Sequence, residues 1–239
     1  MSSSTTAFFG ASAGVGLSAL KHALAAGKNC VALCRTPSKL SSVFPEEPRL
    51  QIIQGNAHDV DAVKRCIVKP DGALMDEIVS TIGGKPVLSK LSIDDPEVCR
   101  KGMATLLDAL AQARAGGATG RPLIVVCSTT GMSRFGRDIP YAMYPLYHIA
   151  LKVPHEDKRI MEDRLVESGE EFAIVRPSLL ADGETDKVVR TGIEDPKTGR
   201  ESNAIGYTIT RQDAGKWIAQ NLLLKREARH INKITMITT

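Results

Sequence analysis

The sequence predicts an α/β protein with a doubly wound parallel sheet and helices on both faces. Short apolar runs alternate with amphipathic helical patterns, beginning with TTAFFG at residues 5–10. Runs such as NCVALCR at 29–35 are apolar almost throughout, as expected for strands covered on both faces. Glycines crowd the turn between the first run and the first helical pattern, at residues 10–16. Repeated strand–helix–strand units favour right-handed crossovers and a parallel sheet.

Apolar runs bounded by turn residues predict the remaining strands in chain order. They are LQIIQG at 50–55, DEIVSTIGG at 76–84, RPLIVVCS at 121–128, EFAIVRP at 171–177 and INKITMITT at 231–239. Ligands of such sheets bind beyond the carboxyl ends of the strands. The residues that follow each strand are therefore the candidates for function.

Helical periodicity and end signals predict the helices between these strands. Gly27 and Gly169 are expected to end two of them, because glycine readily adopts the left-handed conformation of helix ends. Asp59 is expected to cap a third helix, and Thr210 with Asp213 forms a capping-box variant at another. The predicted helices span residues 14–27, 59–67, 95–117, 155–169 and 208–223.

Residues 181–206 differ in character from the rest of the chain. They are rich in charges, glycine and turn residues, with only short apolar pieces. We expect an elaboration over the sheet edge that lines a substrate pocket. The length of 239 residues otherwise suits a single domain over residues 1–239.

Composition predicts a cytoplasmic globular protein that binds neither nucleic acid nor membrane. The chain is 43% hydrophobic and 24% charged, and the basic residues behind its net charge of +4 are scattered. No apolar run approaches the roughly 18 residues of a membrane span. The five cysteines form no CxxC pair and no Cys/His cluster, which predicts reduced buried thiols and no metal site. Monomer and dimer both remain open.

The stretch FFGASAGVG predicts a dinucleotide site of the Rossmann type. Gly10, Gly14 and Gly16 lie between the first strand and the first helix, where glycines permit a tight turn and a close approach to pyrophosphate. The same stretch matches the G-x-S-x-G elbow, which would make Ser12 a hydrolase nucleophile. That alternative is disfavoured because no oxyanion-hole loop precedes it and no His–acid pair accompanies it.

The second strand predicts which dinucleotide is bound. NAD-binding proteins usually place a carboxylate at its end, for the ribose hydroxyl. This chain has Arg35 there, with Lys39 one turn later. Two cations suit a 2′-phosphate that a carboxylate would repel, so NADP(H) is the predicted cofactor.

With these motifs the chain resembles the short-chain dehydrogenase superfamily, in its atypical NmrA-like, NAD(P)H-binding group that includes biliverdin-reductase-B-type flavin reductases. The resemblance covers nearly the whole chain. The segments that carry it, in order, are GASAGVG, ALCRTPSKL, IIQGNAHD, VSTIGG, VVCSTTG, DKRIMEDRLVESGEEFAIVRPSLLADG and ITRQDAGKWIA.

The resemblance implies a set of cofactor contacts, each placed after a strand. Those at the pyrophosphate and ribose are Gly10, Ser12, Ala13, Gly14, Val15 and Gly16, and those at the 2′-phosphate are Arg35 and Lys39. Asn56 and Ala57 would flank the adenine, although the family more often has Asp at the first of these positions. The remaining implied contacts are Thr81, Ile82 and Gly83 near the ribose, and Ser128, Thr129, Pro177, Ser178 and Leu179 near the nicotinamide.

The segment PLYHIALKVPHEDKRIMEDRL at 145–165 departs from the Tyr-x-x-x-Lys pattern of many such enzymes. The family's lysine corresponds to Lys158, and the residue four before it is Pro154, which has no proton to give. Proline predicts a break between a short helix near 143–152 and a second helix from residue 155. The catalytic candidates are Ser128, Tyr147, His155 and Lys158, with Tyr144 and His148 as further pocket residues.

Structural roles for the same residues remain open. Lys158 could be a surface lysine paired with Glu162, Tyr147 a core aromatic residue, and His155 a polar residue at a helix start. The favoured function is an NADPH-dependent reductase of a small organic acceptor: a flavin, a quinone or a carbonyl compound. The alternatives are a non-catalytic NADP(H)-binding regulator or redox sensor, and an isomerase or cyclase that keeps NADP as a scaffold.

Overall fold

The computed structural model describes residues 4–84, 86–87 and 92–239 and confirms the doubly wound α/β fold. The strands are β1 (Thr5–Phe9), β2 (Asn29–Cys34), β3 (Leu50–Gln54), β4 (Glu77–Ser80), β5 (Pro86–Val87), β6 (Ser92–Ile93), β7 (Leu123–Cys127), β8 (Glu171–Pro177), β9 (Leu179–Ala181), β10 (Arg190–Asp195), β11 (Gly199–Arg200), β12 (Thr208–Thr210) and β13 (Lys233–Thr238). The helices are α1 (Gly14–Ala25), α2 (Ser38–Ser41), α3 (Val60–Ile67), α4 (Val98–Ala115), α5 (Lys152–Glu167) and α6 (Arg211–Ile218). Short 3₁₀ turns lie at Tyr141–Met143 and Ala228–His230, and π turns at Leu146–Ala150 and Ala219–Leu224.

The nine-stranded main sheet has the order β11-β10-β13-β8-β7-β4-β1-β2-β3. From β13 to β3 every neighbouring pair is parallel. The chain reverses its direction of winding at β1, which pairs with β2 on one side and β4 on the other. A crevice opens beyond the carboxyl ends of strands at such a reversal, and this is where the candidate residues lie.

Two hydrophobic layers cover the two faces of the sheet. Successive strand residues point to opposite faces, so Phe8 packs with α1 and α6 while Phe9 packs with α3, α4 and α5. Both phenylalanines are buried, as are Trp217 of α6 and Leu110 of α4. The continuous apolar strands of the sequence are explained by this double cover.

All five cysteines are buried and carry free thiols, which confirms the prediction of their burial. Burial raises the pKa of the Cys30 and Cys66 thiols to about 12. It raises the pKa of Cys99 to about 11, even though Lys158 acts in the opposite direction. These groups are therefore neutral thiols at physiological pH.

The predicted helix ends are confirmed by backbone and side-chain geometry. Gly27 and Gly169 have φ values of 83° and 77° and follow the ends of α1 and α5. The Asp59 carboxylate accepts the first-turn N–H groups of α3 at 3.0 and 3.2 Å. The Thr210 hydroxyl accepts the N–H of Asp213 at 3.0 Å and so caps α6.

The predicted helix break at Pro154 is wrong. Helix α5 begins at Lys152, so the proline occupies its third position. N–H groups in the first turn of a helix have no partner within it, and a proline there removes nothing. The irregularity lies earlier, where the π turn Leu146–Ala150 ends at Leu151 before α5 begins.

Residues 181–206 extend the sheet, which the short apolar pieces of this region did not predict. Strand β10 pairs antiparallel with β13, and β11 pairs antiparallel with β10 at the edge. Just before this region β9 begins, and it pairs in parallel with β12 in a separate two-stranded sheet. The region therefore lies beside the parallel strands of the sheet. The chain then continues through β12 into α6. None of the described helices is long and apolar enough to cross a membrane.

Candidate functional site

The glycine loop after β1 lies flat against the end of β4. Gly10 has a φ of 86°, and a Cβ added there would lie 2.8 Å from the Thr81 carbonyl. A Cβ at Gly16 would lie 2.2 Å from the Thr81 hydroxyl oxygen. That hydroxyl donates to the Gly10 carbonyl at 3.1 Å. Only glycine fits at both positions, so the loop is held close to β4 by its own backbone.

Helix α1 presents its N-terminus to this loop. Ala13 precedes it in an extended conformation, and no side chain in the described part of the chain caps it. The first-turn N–H groups therefore face the loop, together with the positive end of the helix dipole. Val15 packs its side chain into the core and offers only its backbone, whereas Ser12 is half-buried. The glycine cradle and the uncapped helix fit the pyrophosphate of a dinucleotide.

Two exposed cations follow β2, as the sequence predicted for this edge. Arg35 comes directly after the strand, and Lys39 lies in the short helix α2. Neither side chain forms an ion pair within the residues that the structure describes. They are therefore available to an anion at the β2 end of the crevice.

The ends of β3 and β4 enclose a small apolar hollow. It is lined by Phe9, Ala57, Val63, Ser80, Ile82, Gly102 and Leu106. Asn56 is exposed at the rim, where its side-chain oxygen accepts the N–H of His58 at 3.2 Å. Gly83 is exposed, and a Cβ added there would meet open space. The hollow lies next to the glycine loop, with Thr81 between them.

Lys158 and Ser128 meet at the carboxyl end of β7. The Lys158 ammonium donates to the Cys127 carbonyl at 3.1 Å. The next residue, Ser128, is buried, and its hydroxyl has no hydrogen-bond partner among the described residues. The alternative pairing of Lys158 with Glu162 does not occur, since Glu162 binds Arg176 at 2.6 Å. The end of β7 thus has a lysine bound to its last carbonyl and, at the next residue, a buried hydroxyl without a partner in the described structure.

Tyr147 and His155 form a buried wall beside the loop after β7. Their ring centroids are 5.5 Å apart, and a Cβ added at Gly131 would strike both rings. The hydroxyl groups of Tyr147 and Thr130 lie 3.5 Å apart. Burial raises the pKa of Tyr147, so its hydroxyl stays protonated at neutral pH. Tyr144 is partly exposed on the same segment, and the side chain of His148 lies outside the described residues.

The residues after β8 contribute unequally to the crevice. The Pro177 carbonyl accepts the N–H of Thr130 at 3.1 Å and ties the two loops together. The Ser178 hydroxyl is buried and donates to Thr238 in β13 at 2.9 Å. Of the predicted contacts here, only Leu179 exposes its side chain, with 37% accessible.

An extended apolar surface lies on the segment between β7 and α5. Tyr141 and Ile149 are each about three-quarters exposed, at 75% and 77%. Leu146 is exposed on the same segment, and Val153 is exposed in the first turn of α5. The backbone of Leu179 forms a hydrogen bond with the buried Tyr147 hydroxyl, which brings β9 next to this segment. The crevice therefore has a charged end at β2 and an apolar end beyond β7.

Sequence reasoning missed the buried charges beneath the loop that follows β7. Arg176 donates to Glu162 at 3.1 and 2.6 Å and to Glu194 at 3.2 Å. The carboxylate of Asp138 accepts the N–H groups of Gly131, Met132 and Ser133. These partners come from α5, β10 and the loop itself, so no local pattern could reveal them. In the sequence, Arg176 stands out only as part of the segment EEFAIVRPSLLADG that carries the family resemblance.

Asp157 was also missed, although it neighbours Lys158. It is fully buried, and its carboxylate accepts the N–H groups of Cys99 and Arg100 at 2.8 and 3.0 Å. It thereby caps α4 from a different helix. Since it holds α5 against α4, it fixes the position from which Lys158 reaches β7.

Comparison with known families identifies the chain. A family described as NAD(P)H-binding matches residues 10–224, from the glycine loop to the segment after α6. The chain belongs to this NAD(P)H-binding family. The predicted membership of an NAD(P)H-binding family is thereby confirmed. No group of three or more metal-binding side chains occurs within the described residues of this family member.

Relatives match this NAD(P)H-binding protein along its length. Reductase pytE of Aspergillus terreus is 40% identical over 268 aligned residues that cover 100% of both chains. Oxidase pynE of Aspergillus niger is 31% identical over 279 residues, covering 100% of this chain and 99% of the relative. A wide-type short-chain dehydrogenase/reductase from Veillonella parvula, solved with NADP, superposes with a TM-score of 0.74 at 13% identity, covering 99% of this chain and 94% of that one. That structural likeness shows a shared fold.

Proposed function

We propose that the protein is an NADPH-dependent reductase of a small organic acceptor with an apolar part. The observation that carries the proposal is the position of Lys158 and Ser128 at the end of β7, on the same sheet edge as the glycine loop. A buried hydroxyl and an ammonium group at this point suit the reacting half of a dinucleotide. The reductase-like family and the relative named a reductase support the same activity.

The choice of NADP(H) over NAD(H) rests on the end of β2. Arg35 and Lys39 are exposed cations there, with no ion pair among the described residues to occupy them. A guanidinium group suits bidentate contact with a phosphate. A 2′-phosphate in this position would gain both charges, whereas a ribose hydroxyl would leave them unmatched.

The residues divide the work of the proposed reaction. When bound, the reduced nicotinamide supplies a hydride, and a proton completes the two-electron reduction of the acceptor. Lys158 would hold the ribose hydroxyls, and Ser128 would pass a proton to the reduced acceptor and regain one from water. Tyr147 and His155 would close one side of the site. No tyrosine lies four residues before Lys158 to donate a proton. The rate enhancement would therefore come mainly from holding the cofactor and the acceptor in the reactive orientation.

The acceptor would lie against the apolar end of the crevice. Tyr141, Ile149 and Leu179 offer exposed hydrophobic surface there, and residues 181–206 would border the same pocket. Burying such surface against a ligand stabilises the complex by about 25 cal/mol for each Å² removed from water. Flavins and quinones have suitable planar apolar rings and accept hydride without a positioned tyrosine.

A non-catalytic NADP(H)-binding sensor is the second candidate, and Pro154 is the observation that favours it. The residue four before Lys158 carries no proton, and the Tyr147 hydroxyl lies near Thr130. This candidate predicts tight binding without consumption. An isomerase or cyclase predicts turnover of a substrate with the cofactor unchanged.

One experiment separates these candidates. Purified protein is mixed with NADPH and a panel of flavins, quinones and carbonyl compounds, and loss of reduced-nicotinamide absorbance is followed. Consumption with at least one acceptor supports the reductase, whereas tight binding without consumption by any of them overturns it. Lys158→Met should lower the rate and the cofactor affinity, while Lys152→Met, an exposed lysine at the start of the same helix, serves as the matched control.

The cofactor preference is tested with Arg35→Gln. We expect its affinity for NADPH to fall by about 10- to 100-fold, which corresponds to the loss of a charge-assisted hydrogen bond. Its affinity for NADH should stay unchanged. An equal loss for both cofactors, or none, would remove the assignment of Arg35 to the 2′-phosphate.

A further inference from the structure

Arg211 lies over the glycine loop, although it is remote from it in sequence. It is the first residue of α6, and a Cβ added at Gly14 would lie 3.2 Å from its Cδ and 3.8 Å from its Nε. Gly14 in turn is the first residue of α1. The side chain of Arg211 therefore passes directly across the helix end that we propose for the pyrophosphate.

Close packing fixes the backbone from which Arg211 extends. A Cβ added at Gly215 of α6 would lie 2.4 Å from the Val15 carbonyl oxygen. The Ser18 hydroxyl of α1 donates to the Gln212 carbonyl at 2.7 Å. The two helices are thus in contact within the first five residues of each, which fixes the backbone position of Arg211.

The guanidinium group of Arg211 has an exchangeable partner. It donates to the Asp182 carboxylate at 2.7 Å, and the side chain of Asp182 is 85% exposed. An ion pair this exposed stabilises the protein little, because water and salt screen it. A doubly charged pyrophosphate beside the same guanidinium, close to the helix dipole, is a stronger partner.

We propose that Arg211 binds the pyrophosphate of the dinucleotide and gives up Asp182 when the cofactor enters. This inference rests on the proposed binding of NADP(H). It assigns α6 a role in cofactor binding beyond its packing on α1. Asp182, the first residue after β9, then competes with the pyrophosphate for the guanidinium group and holds the Arg211 side chain in place when no cofactor is bound.

The pyrophosphate is common to NADPH and NADH, and this sets the expected pattern. Arg211→Gln should weaken both cofactors by the same factor, about 10- to 100-fold, and leave the preference between them unchanged. Adenosine 2′-monophosphate, which has the 2′-phosphate but neither phosphate of the pyrophosphate, should be affected much less. Asp182→Asn should strengthen both cofactors by up to about 5-fold, since it removes the competing carboxylate.

The test is a calorimetric titration of the full chain with NADPH, NADH and adenosine 2′-monophosphate. Lys216→Gln is the matched control, because it removes the same charge from the same helix, where Lys216 lies 4.0 Å from Glu184. Melting temperatures without cofactor show whether each variant is folded. Arg211→Lys, which keeps the charge and loses the bidentate geometry, should fall between wild type and Arg211→Gln.

The outcomes separate this inference from the proposed function. If wild type binds NADPH and Arg211→Gln binds both cofactors equally well, the inference is overturned and the proposed function stands. A loss confined to NADPH would make Arg211 a ligand of the 2′-phosphate and also overturn it. If wild type binds neither dinucleotide, the proposed function and the inference fail together.

Discussion

The crevice is built in different ways at the glycine loop and beyond β7. At the glycine loop, which we propose as the cofactor end, backbone packs on backbone, and Gly10 and Gly16 leave no room for a side chain beside Thr81. Beyond β7, the loop rests on buried charges, with Arg176 between Glu162 and Glu194. The first end depends on steric fit and the second on electrostatic pairing.

This difference determines which substitutions each part of the crevice tolerates. Where the backbone packs this closely, only glycine fits. The shape of the cofactor end therefore depends on a few glycines that are close together in sequence. A buried ion network can be replaced as a unit, provided that no charge is left alone. The proposed substrate end can therefore change its lining while the cofactor end stays the same.

The largest expected effect comes from breaking the buried network. Arg176→Met should lower the free energy of unfolding by about 3–5 kcal/mol, because two buried carboxylates lose their cation. Chemical denaturation measures the change. Arg134→Met, which breaks an exposed pair with Asp163, should cost less than about 1 kcal/mol. Equal losses in the two variants would show that the network does not support the loop as described.

A smaller loss is expected when the cofactor end is overpacked. Gly16→Ala should lower the free energy of unfolding by about 1–3 kcal/mol, since its Cβ would strike the Thr81 hydroxyl and the Gly10 carbonyl. Dinucleotide binding should fall with it, which a titration measures. At Gly116, a Cβ would approach the Ala113 carbonyl no closer than 3.3 Å, so Gly116→Ala is the control. Unchanged binding in Gly16→Ala would contradict the close packing of the loop.

The contact between α5 and α4 is expected to contribute less than either end. Asp157→Ala removes the cap of α4 and should cost about 0.5–2 kcal/mol. Because Asp157 also holds α5 in place, affinity for the cofactor should decline through Lys158. Asp163→Ala on the exposed side of the same helix is the control, measured by melting and titration. Full affinity in Asp157→Ala would show that Lys158 is positioned by other contacts.

The smallest expected effect is a pH dependence behind the cofactor end. Burial against Trp217 lowers the pKa of His230 below its ordinary value of 6.5. The unfolded chain then binds more protons than the folded one as pH falls through 6.5, so acid destabilises the fold. The slope due to this residue is at most about 1.4 kcal/mol per pH unit. Denaturation of His230→Gln should show a flatter profile between neutral pH and pH 5, and an unchanged slope would contradict this origin.

The sequence predicted the cofactor end because its signals are local. Gly10, Gly14 and Gly16 follow one strand within seven residues, and Asp59 and Thr210 act on N–H groups two or three residues away. Such patterns depend on the backbone alone.

The buried charge network beyond β7 escaped prediction because its partners are distant in sequence. Glu194 reaches Arg176 only after β10 has joined the sheet beside β13. The helix break predicted at Pro154 was wrong for a related reason. A proline disfavours the interior of a helix, but the sequence did not show that α5 begins at Lys152, which places Pro154 in its first turn. Tertiary pairing and the exact start of a helix are set by the packed structure.

The five buried thiols can be used to measure local opening of the structure. An alkylating reagent can attack a cysteine only after the surrounding structure opens, so each labelling rate measures a local opening equilibrium. Cys34 and Cys127 end β2 and β7, beneath the positions proposed for the two ends of the cofactor, whereas Cys66 lies in α3. Mass spectrometry can follow the labelling rate of each cysteine with and without nucleotide. The comparison would show which strands open less often when the nucleotide is bound.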